Sequence, residues 1–294
     1  MLQGVAQATD MTSPKKLARL WSRDLETLLS SVRVSLCVCS PYVTSFGVQF
    51  LLSHLASTVK DSVRLTLLTD LSPLNVAQGA TDPGAIRELA ESIPRLRITH
   101  LPRVHAKVFV QDSQSAIVTS GNLTAGGLES NYEYGILISD RTLAGGIEDD
   151  IHDYTALGVD VSKVAIEEYS EKGAKLRDLY SSQQIQSRLA APELQQALTE
   201  AADDLIRLRL NGGAMHTVFA ASIMFLLTKY GPLSTHDLHD QIAALHPDLC
   251  DDAVDRIIEG KRFGKKWKHA VRSAQQHLKR HHRILLLDGL WQLP

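Results

Sequence analysis

The chain has 294 residues, 44% of them hydrophobic and 22% charged, and a formal net charge of −2. That length and balance allow a full hydrophobic core and two domains, and they exclude a low-complexity chain. Three cysteines give no disulfide framework, and the longest mostly apolar run, residues 218–227, is far short of a membrane span. The first sixteen residues carry no basic segment followed by an apolar one, so the expectation is a cytoplasmic protein with no membrane partner.

Hydrophobic period and chain breakers predict a helix over residues 14–30, a strand over 32–39, a Ser-Pro loop at 40–45 and a helix over about 47–60. Cys37 and Cys39 fall two apart on that strand and read as small buried residues. The hydroxyls of the 40–45 loop leave the strand at the end where α/β sheets bind ligands, and they equally suit turns and helix caps. A strand over 63–69, a loop rich in Pro, Gly, Asn and Asp over 70–84, a helix over 85–92 and a strand over 96–101 follow. Alternating helices and strands of this kind predict an α/β fold with a mixed sheet.

Residues 105–133 then read HAKVFVQDSQSAIVTSGNLTAGGLESNYE. Side chains alternate along a strand, so His105 and Lys107 share one face while Ala106, Val108 and Val110 can enter a core. A second strand over 115–120 ends in Ser120-Gly121-Asn122, whose Ser and Asn both donate hydrogen bonds of the kind phosphate oxygens accept. A third strand over 132–139 opens on Glu133, a carboxylate that needs a partner; a histidine ring N–H is the expected one. Asp112 ends its strand just before a turn, where a turn-stabilising carboxylate is the favoured reading over a catalytic one. Arg103, two residues before His105, shares its face on a continuing strand and there either binds a flanking phosphate or is solvated.

This spacing resembles the phospholipase D superfamily motif H-x-K-x4-D-x6-G-S-x-N. His105, Lys107, Asp112, Ser120 and Asn122 fall in register, and Glu133 lies where the bacterial nucleases of that superfamily carry a glutamate. Thr119 replaces the motif glycine. With each residue type at roughly 5% of positions, four further matches at fixed offsets from a given histidine occur by chance about once in a hundred thousand. The resemblance implies a two-step mechanism without metal or other cofactor. Neutral imidazole, with an ordinary pKa near 6.5, is a competent nucleophile, so His105 would form a phosphohistidine that Glu133 supports. Lys107 and Asn122, with Ser120, would clamp the non-bridging oxygens.

A general acid must still protonate the leaving oxygen, and a second histidine is the natural candidate. The other His-x-Lys of the chain, His277-Leu278-Lys279, lacks the Asp and the Ser-x-Asn and lies in a segment that reads as helix. Single-motif members of the superfamily assemble their site from two subunits, so the resemblance implies a homodimer.

From about residue 161 to 230 the pattern is helical, with segments at 164–180 and 192–210, broken at Asn211-Gly212-Gly213. The expected organisation is a phospholipase D-like catalytic domain over 1–160, a helical linker or dimer support over 161–213 and a nucleic-acid-binding domain over 214–294.

Residues 260–283 contain nine Lys or Arg and no Asp or Glu, so the rest of the chain sums to −11. Such polarisation suits a polyanion. It predicts a nucleic-acid-binding helix with Trp267, Val271, Ala274 and Leu278 as the apolar stripe and Lys265, Lys266, Lys268, Arg272 and Lys279 exposed. Lys261, Arg262 and Arg280 extend the same patch. Helices over 215–230, 236–245 and 267–281, with Ser234 as a cap, precede a hairpin over 283–293 with an Asp288-Gly289 turn. These segments resemble the winged helix-turn-helix modules of Mrr-type restriction enzymes. His236 and His239 stand three apart beside Asp237 and Asp240, but no third ligand group accompanies them, so no metal site is expected.

The combined reading is a homodimeric, metal-independent nuclease that cleaves duplex DNA. Analogy with the domain partners places it in restriction or anti-phage defence, alongside a helicase or other defence-system subunits. A phospholipid hydrolase is the alternative enzyme, and a DNA-binding transcription regulator with a non-catalytic phospholipase D-like domain is the alternative from another class.

Overall fold

The computed structural model describes residues 13–190, 196, 210, 214–247 and 249–294. Two compact units make up the chain, Met1–Ser187 and Arg188–Pro294. The helical pattern over 192–210 and the break at 211–213 lie outside the described residues, apart from positions 196 and 210.

The first unit is a mixed α/β sandwich. Its strands are β1 (Lys15–Leu17), β2 (Ser35–Cys39), β3 (Arg64–Thr69), β4 (Leu96–His100), β5 (Val108–Gln111), β6 (Ser115–Thr119), β7 (Gly135–Ile138) and β8 (Val159–Asp160). They form one sheet in the order β1-β7-β6-β5-β2-β3-β4-β8. The β2–β3 and β3–β4 pairs are parallel and every other pair is antiparallel. Four residues in a row are buried in β5, as a central strand covered on both faces requires.

Helices α1 (Ser22–Ser31), α2 (Ser45–His54), α3 (Pro73–Ala77), α4 (Pro83–Ser92), α5 (Arg141–Leu157) and α6 (Lys163–Ala190) complete the unit. Local chemistry fixes several of their starts. Asp82 accepts from the backbone N–H groups of Gly84 and Ala85 and precedes Pro83 at the first position of α4, while Asp140 accepts from Leu143 N–H at the start of α5. The main core joins Leu25, Leu29 and Trp21 to Leu36, Leu65, Phe109 and Ile117, with the Trp21 and Phe109 rings 5.7 Å apart. Cys37 and Cys39 are buried free thiols, and burial pushes both up to about 12.

The expected helix over 14–30 is instead a strand followed by a helix. Lys15–Leu17 pairs with β7, Leu17 opposite Gly135, and only from Ser22 does the chain turn helical. The loop expected over 70–84 contains the short α3. No predicted element corresponds to α5, whose Gly145-Gly146 pair weakens its helical pattern.

In the second unit, α7 (Met215–Tyr230), α8 (Thr235–Leu245) and α9 (Lys266–Arg280) surround their own core. Phe219, Ile223, Leu226, Leu238 and Ile242 meet Trp267, Val271, Ala274 and Leu278, so the apolar stripe of α9 faces inward. Ser234 and Asp237 form a reciprocal capping box at the start of α8. Strands β12 (Leu285–Leu287) and β13 (Leu290–Gln292) turn at Asp288-Gly289, both at positive φ (48° and 80°), and β13 also pairs with β9 (Leu233–Ser234).

Between α8 and α9 stands a second hairpin, β10 (Asp255–Ile258) and β11 (Lys261–Lys265). Helix had been expected only from about 267, so these strands replace an unassigned basic stretch. His239 also departs from a helix-surface reading, being buried on α8 with its ring edge-on to Trp267 at 5.6 Å. Burial, then Lys268 and Arg272, hold its pKa below the ordinary value.

Candidate active site

The C-terminal ends of β2, β3, β4 and β6 and the N-terminal ends of β5 and β7 all reach one edge of the sheet, because β5 and β7 run against their neighbours. His105 and Lys107 lie in the extended segment just before β5, not on the strand itself. Lys107 nevertheless joins the sheet framework, since its carbonyl accepts from Thr119 N–H at 3.0 Å.

The Lys107 ammonium donates to the His105 carbonyl at 2.8 Å and sits 3.2 Å from Nδ1 and 3.3 Å from Nε2 of the His105 ring. His105 is exposed while Lys107 is only 6% exposed, so a buried cation lies directly beside an accessible imidazole. Burial lowers the Lys107 pKa, and the negative charge of Glu133 opposes that shift, which places Glu133 within electrostatic reach.

Glu133 precedes β7 and bonds differently from the sequence expectation. In place of a histidine ring, its carboxylate takes hydrogen bonds from the Ser120 hydroxyl and, at 3.1 Å, from Asn131 Nδ2. Ser120 in turn accepts from Tyr134 N–H at 3.0 Å, and its own N–H reaches the Tyr134 carbonyl at 3.0 Å. The hydroxyl therefore locks the exit of β6 to the entry of β7. Thr119, standing where the motif has glycine, is buried and accepts from Gly121 N–H at 3.2 Å, so it braces the turn that leads to Asn122.

Close packing around that turn supplies functional residues that motif spacing does not reveal. A Cβ on Gly127 would fall 2.3 Å from the Asn122 carbonyl oxygen, and one on Gly47 would fall 2.0 Å from that of Leu123. Trp21 Nε1 donates to the Gly127 carbonyl at 2.8 Å, and Ser40 Oγ accepts from Leu123 N–H at 2.9 Å. The loop carrying Asn122 is thus held from both sides. Asn122 Oδ1 is enclosed and has no hydrogen-bond partner among the described residues. Gly127 was legible as half of a Gly-Gly pair, but its role depends on a contact across the loop.

Two candidate residues lie elsewhere. Asp112 is at the opposite end of β5 from Lys107, and its carboxylate accepts from the N–H groups of Arg33, Val34 and Ser35 and from Gln111 Nε2. Burial alone would raise its pKa, but the hydrogen bonds from Ser35, Val34, Gln111 and Arg33 outweigh it and the net shift is downward. It clamps the entry of β2 and takes no part in the cluster. Asp112→Ala strands three backbone donors and should cost about 2–3 kcal/mol in urea unfolding near neutral pH. Because the folded pKa is depressed, the difference should shrink only as pH falls below the ordinary carboxylate range; equal midpoints for the two proteins would reject this role.

Arg103 is the other. It does not continue a strand into His105 but sits in a turn with φ 67°, its N–H donating to Asp70 Oδ2 at 3.0 Å. The shared face expected with His105 and Lys107 therefore does not form.

Residues 25–155 match the family model described as cardiolipin synthase, PLD-like domain. The first unit thus contains a segment similar to a PLD-like domain. All six motif residues, from His105 to Glu133, fall within the matched segment. No curated protein is similar enough to the chain to match it.

Among solved structures, the chain is similar to Nuc of Salmonella typhimurium, a phospholipase D family member, at 18% identity and a TM-score of 0.42 over 50% of this chain and 98% of that one. NucT from Helicobacter pylori is 15% identical with a TM-score of 0.40, again over 50% of this chain and 98% of that one. Phosphatidylserine synthase of Haemophilus influenzae Rd KW20 is 16% identical with a TM-score of 0.46, over 62% of this chain and 46% of that one. The matched segment ends before the basic C-terminal unit, on which Lys261, Arg262, Lys266, Arg272, Lys279 and Arg280 are exposed and Lys265 and Lys268 half-buried.

Proposed function

We propose that this protein is a metal-independent phosphodiesterase that cleaves duplex DNA as a homodimer. The observation that carries the reading is the convergence, at one sheet edge, of an exposed His105, a buried Lys107 ammonium 3.2 Å from its ring, and the Ser120–Glu133 pair. An imidazole nitrogen of His105 attacks phosphorus and expels the ester oxygen, while Lys107 and Asn122 hold the non-bridging oxygens as charge builds on them. Water then cleaves the phosphohistidine. The leaving oxygen needs a proton in the first step, and the water must lose one in the second.

A second histidine serves both steps. His100 also reaches this edge, but on β4, three strand positions from β5 in the sheet order and hence roughly 14 Å away, with Nδ1 accepting from Leu71 N–H at 3.0 Å. By the resemblance to single-motif superfamily members, the partner histidine is assigned to a second copy of the chain. Among the described residues, no helix is long and apolar enough to cross a membrane.

The three helices and the β12–β13–β9 sheet of the second unit support a winged-helix assignment for it, with α9 presenting its cations to DNA phosphates. Arg272→Ala and Lys279→Ala should each weaken binding to all duplex sequences alike and reduce the salt slope by about one. A loss confined to one sequence, with the slope unchanged, would reject phosphate contact. Restriction or anti-phage defence, beside a helicase or similar subunit, is the setting that this pairing of domains favours.

The deciding test is plasmid cleavage in EDTA by the native protein and by His105→Ala. Nicking or linearisation in chelator, absent in the variant, supports the reading. Cleavage only with added magnesium would overturn the mechanism, DNA binding without cleavage would favour the regulator, and turnover of phospholipid vesicles alone would favour the lipid enzyme.

A further inference from the structure

The β10–β11 hairpin displays side chains that a folded monomer ordinarily hides. Ile257 is 67% exposed, Phe263 49% and Ile258 41%, all within a seven-residue span closed by a tight Glu259-Gly260 turn at φ 47° and 77°. Its base is anchored firmly. Asp255 pairs with Arg262 at 2.5 Å and Lys265 at 3.3 Å, and Lys266 N–H reaches the Val254 carbonyl at 3.0 Å. Trp267 Nε1 holds Asp252 at 2.9 Å, which ties the run-up to the hairpin onto the first turn of α9. The apolar side chains thus project from a fixed base that continues directly into the basic helix.

The surrounding charge selects the occupant. Arg256 and Lys261 are exposed on the same hairpin on either side of Glu259 at the turn, and from Lys261 onward the α9 cations follow without an intervening acid. A second copy of this chain docking through the same hairpin would meet like charge, and a neutral apolar partner would leave the cations without counter-charge. A stacked polyanion satisfies both, since phosphates take the cations and base steps take the apolar side chains. We infer that the β10–β11 hairpin is a wedge that inserts Ile258 and Phe263, which share one face of the ribbon, into a groove of duplex DNA and partly unstacks a base step there. The inference rests on the nucleic-acid reading above but not on the PLD-like chemistry.

The test uses the full chain carrying His105→Ala, so that the duplex survives, with and without Ile258→Ser and Phe263→Ser. Both serines replace exposed side chains, and circular dichroism checks the fold. A duplex with 2-aminopurine at scanned positions should brighten at one or two adjacent steps on binding. The double serine variant should lose that signal and bind about tenfold more weakly at an unchanged salt slope, because no cation has been removed.

In the His105-intact background, the same serines should leave hydrolysis of bis(p-nitrophenyl) phosphate within about twofold, since that small substrate needs no wedge. Equal affinity and equal 2-aminopurine signal would overturn the inference. So would failure of the parent chain to bind duplex, or a fall in oligomeric mass with DNA binding untouched. Wedge signals in a protein that never cleaves would uphold the hairpin and reject the nuclease.

Discussion

His105→Ala is expected to lower phosphodiester cleavage by about ten-thousand-fold or more, to the level of binding without a nucleophile. The imidazole is the accessible group of the cluster, Lys107 being buried and Glu133 tied to Ser120 and Asn131. No neighbour is free to replace it in forming a bond to phosphorus. Quenching of the native protein in alkaline detergent during turnover of a labelled substrate should trap base-stable label that acid then releases, and His105→Ala should trap none. Label that remained in the variant would move the nucleophile elsewhere.

The dimer assignment gives the same substitution a second reading. If every site needs a histidine from each copy, free exchange with an equal amount of His105→Ala leaves both histidines in about a quarter of all dimers. Activity per added native chain should then fall to about half. Undiminished activity after proven exchange would reject the shared site.

Lys107→Met is expected to cost about a thousand-fold, mostly in kcat, because a buried cation beside the reacting phosphate stabilises charge that appears only in the transition state. The pH profile follows from the direction of its shift. Burial lowers the Lys107 pKa below the ordinary 10.5, while Glu133 raises it, and the net shift is downward. The protonated form does the work, so cleavage should decline on the alkaline side before pH 10.5 is reached. Glu133→Gln removes the charge that helps to hold the proton and should move this limb to still lower pH. Lys107→Arg should abolish it, the guanidinium staying charged throughout. A limb that stayed in place in Glu133→Gln would separate the two residues.

Much of this site is written in local periodicity. His105 and Lys107 stand two apart in extended chain, and Ser120 ends an alternating strand, so their approach to one edge follows from a period of two. The 3.6-residue period likewise marks Trp267, Val271, Ala274 and Leu278, and all four are buried. Ser234 reads as a cap because Asp237 three residues on completes a box within one turn. Such features depend on neighbours a few residues away.

Other features depend on partners distant in sequence. Lys15–Leu17 looks like the start of a helix until Gly135 in β7 offers a strand to pair with, 118 positions away from Leu17. Asp112 carries the motif's spacing but spends its carboxylate on residues 33–35, and Glu133 bonds Ser120 and Asn131 where a histidine was expected. Gly47 and Gly127 look like ordinary glycines until the backbone of the Asn122 loop is brought against them.

By itself the sequence determined the alternation of helices and strands, the spacing of the candidate phosphate-handling groups and the basic character of the C-terminal unit. Each is set by side-chain period or by composition. Only the tertiary structure decided which carboxylate accompanies Lys107, which one merely clamps a strand, and that an apolar hairpin precedes the basic helix. Those outcomes turn on hydrogen-bond competition and steric fit between segments that meet only after folding.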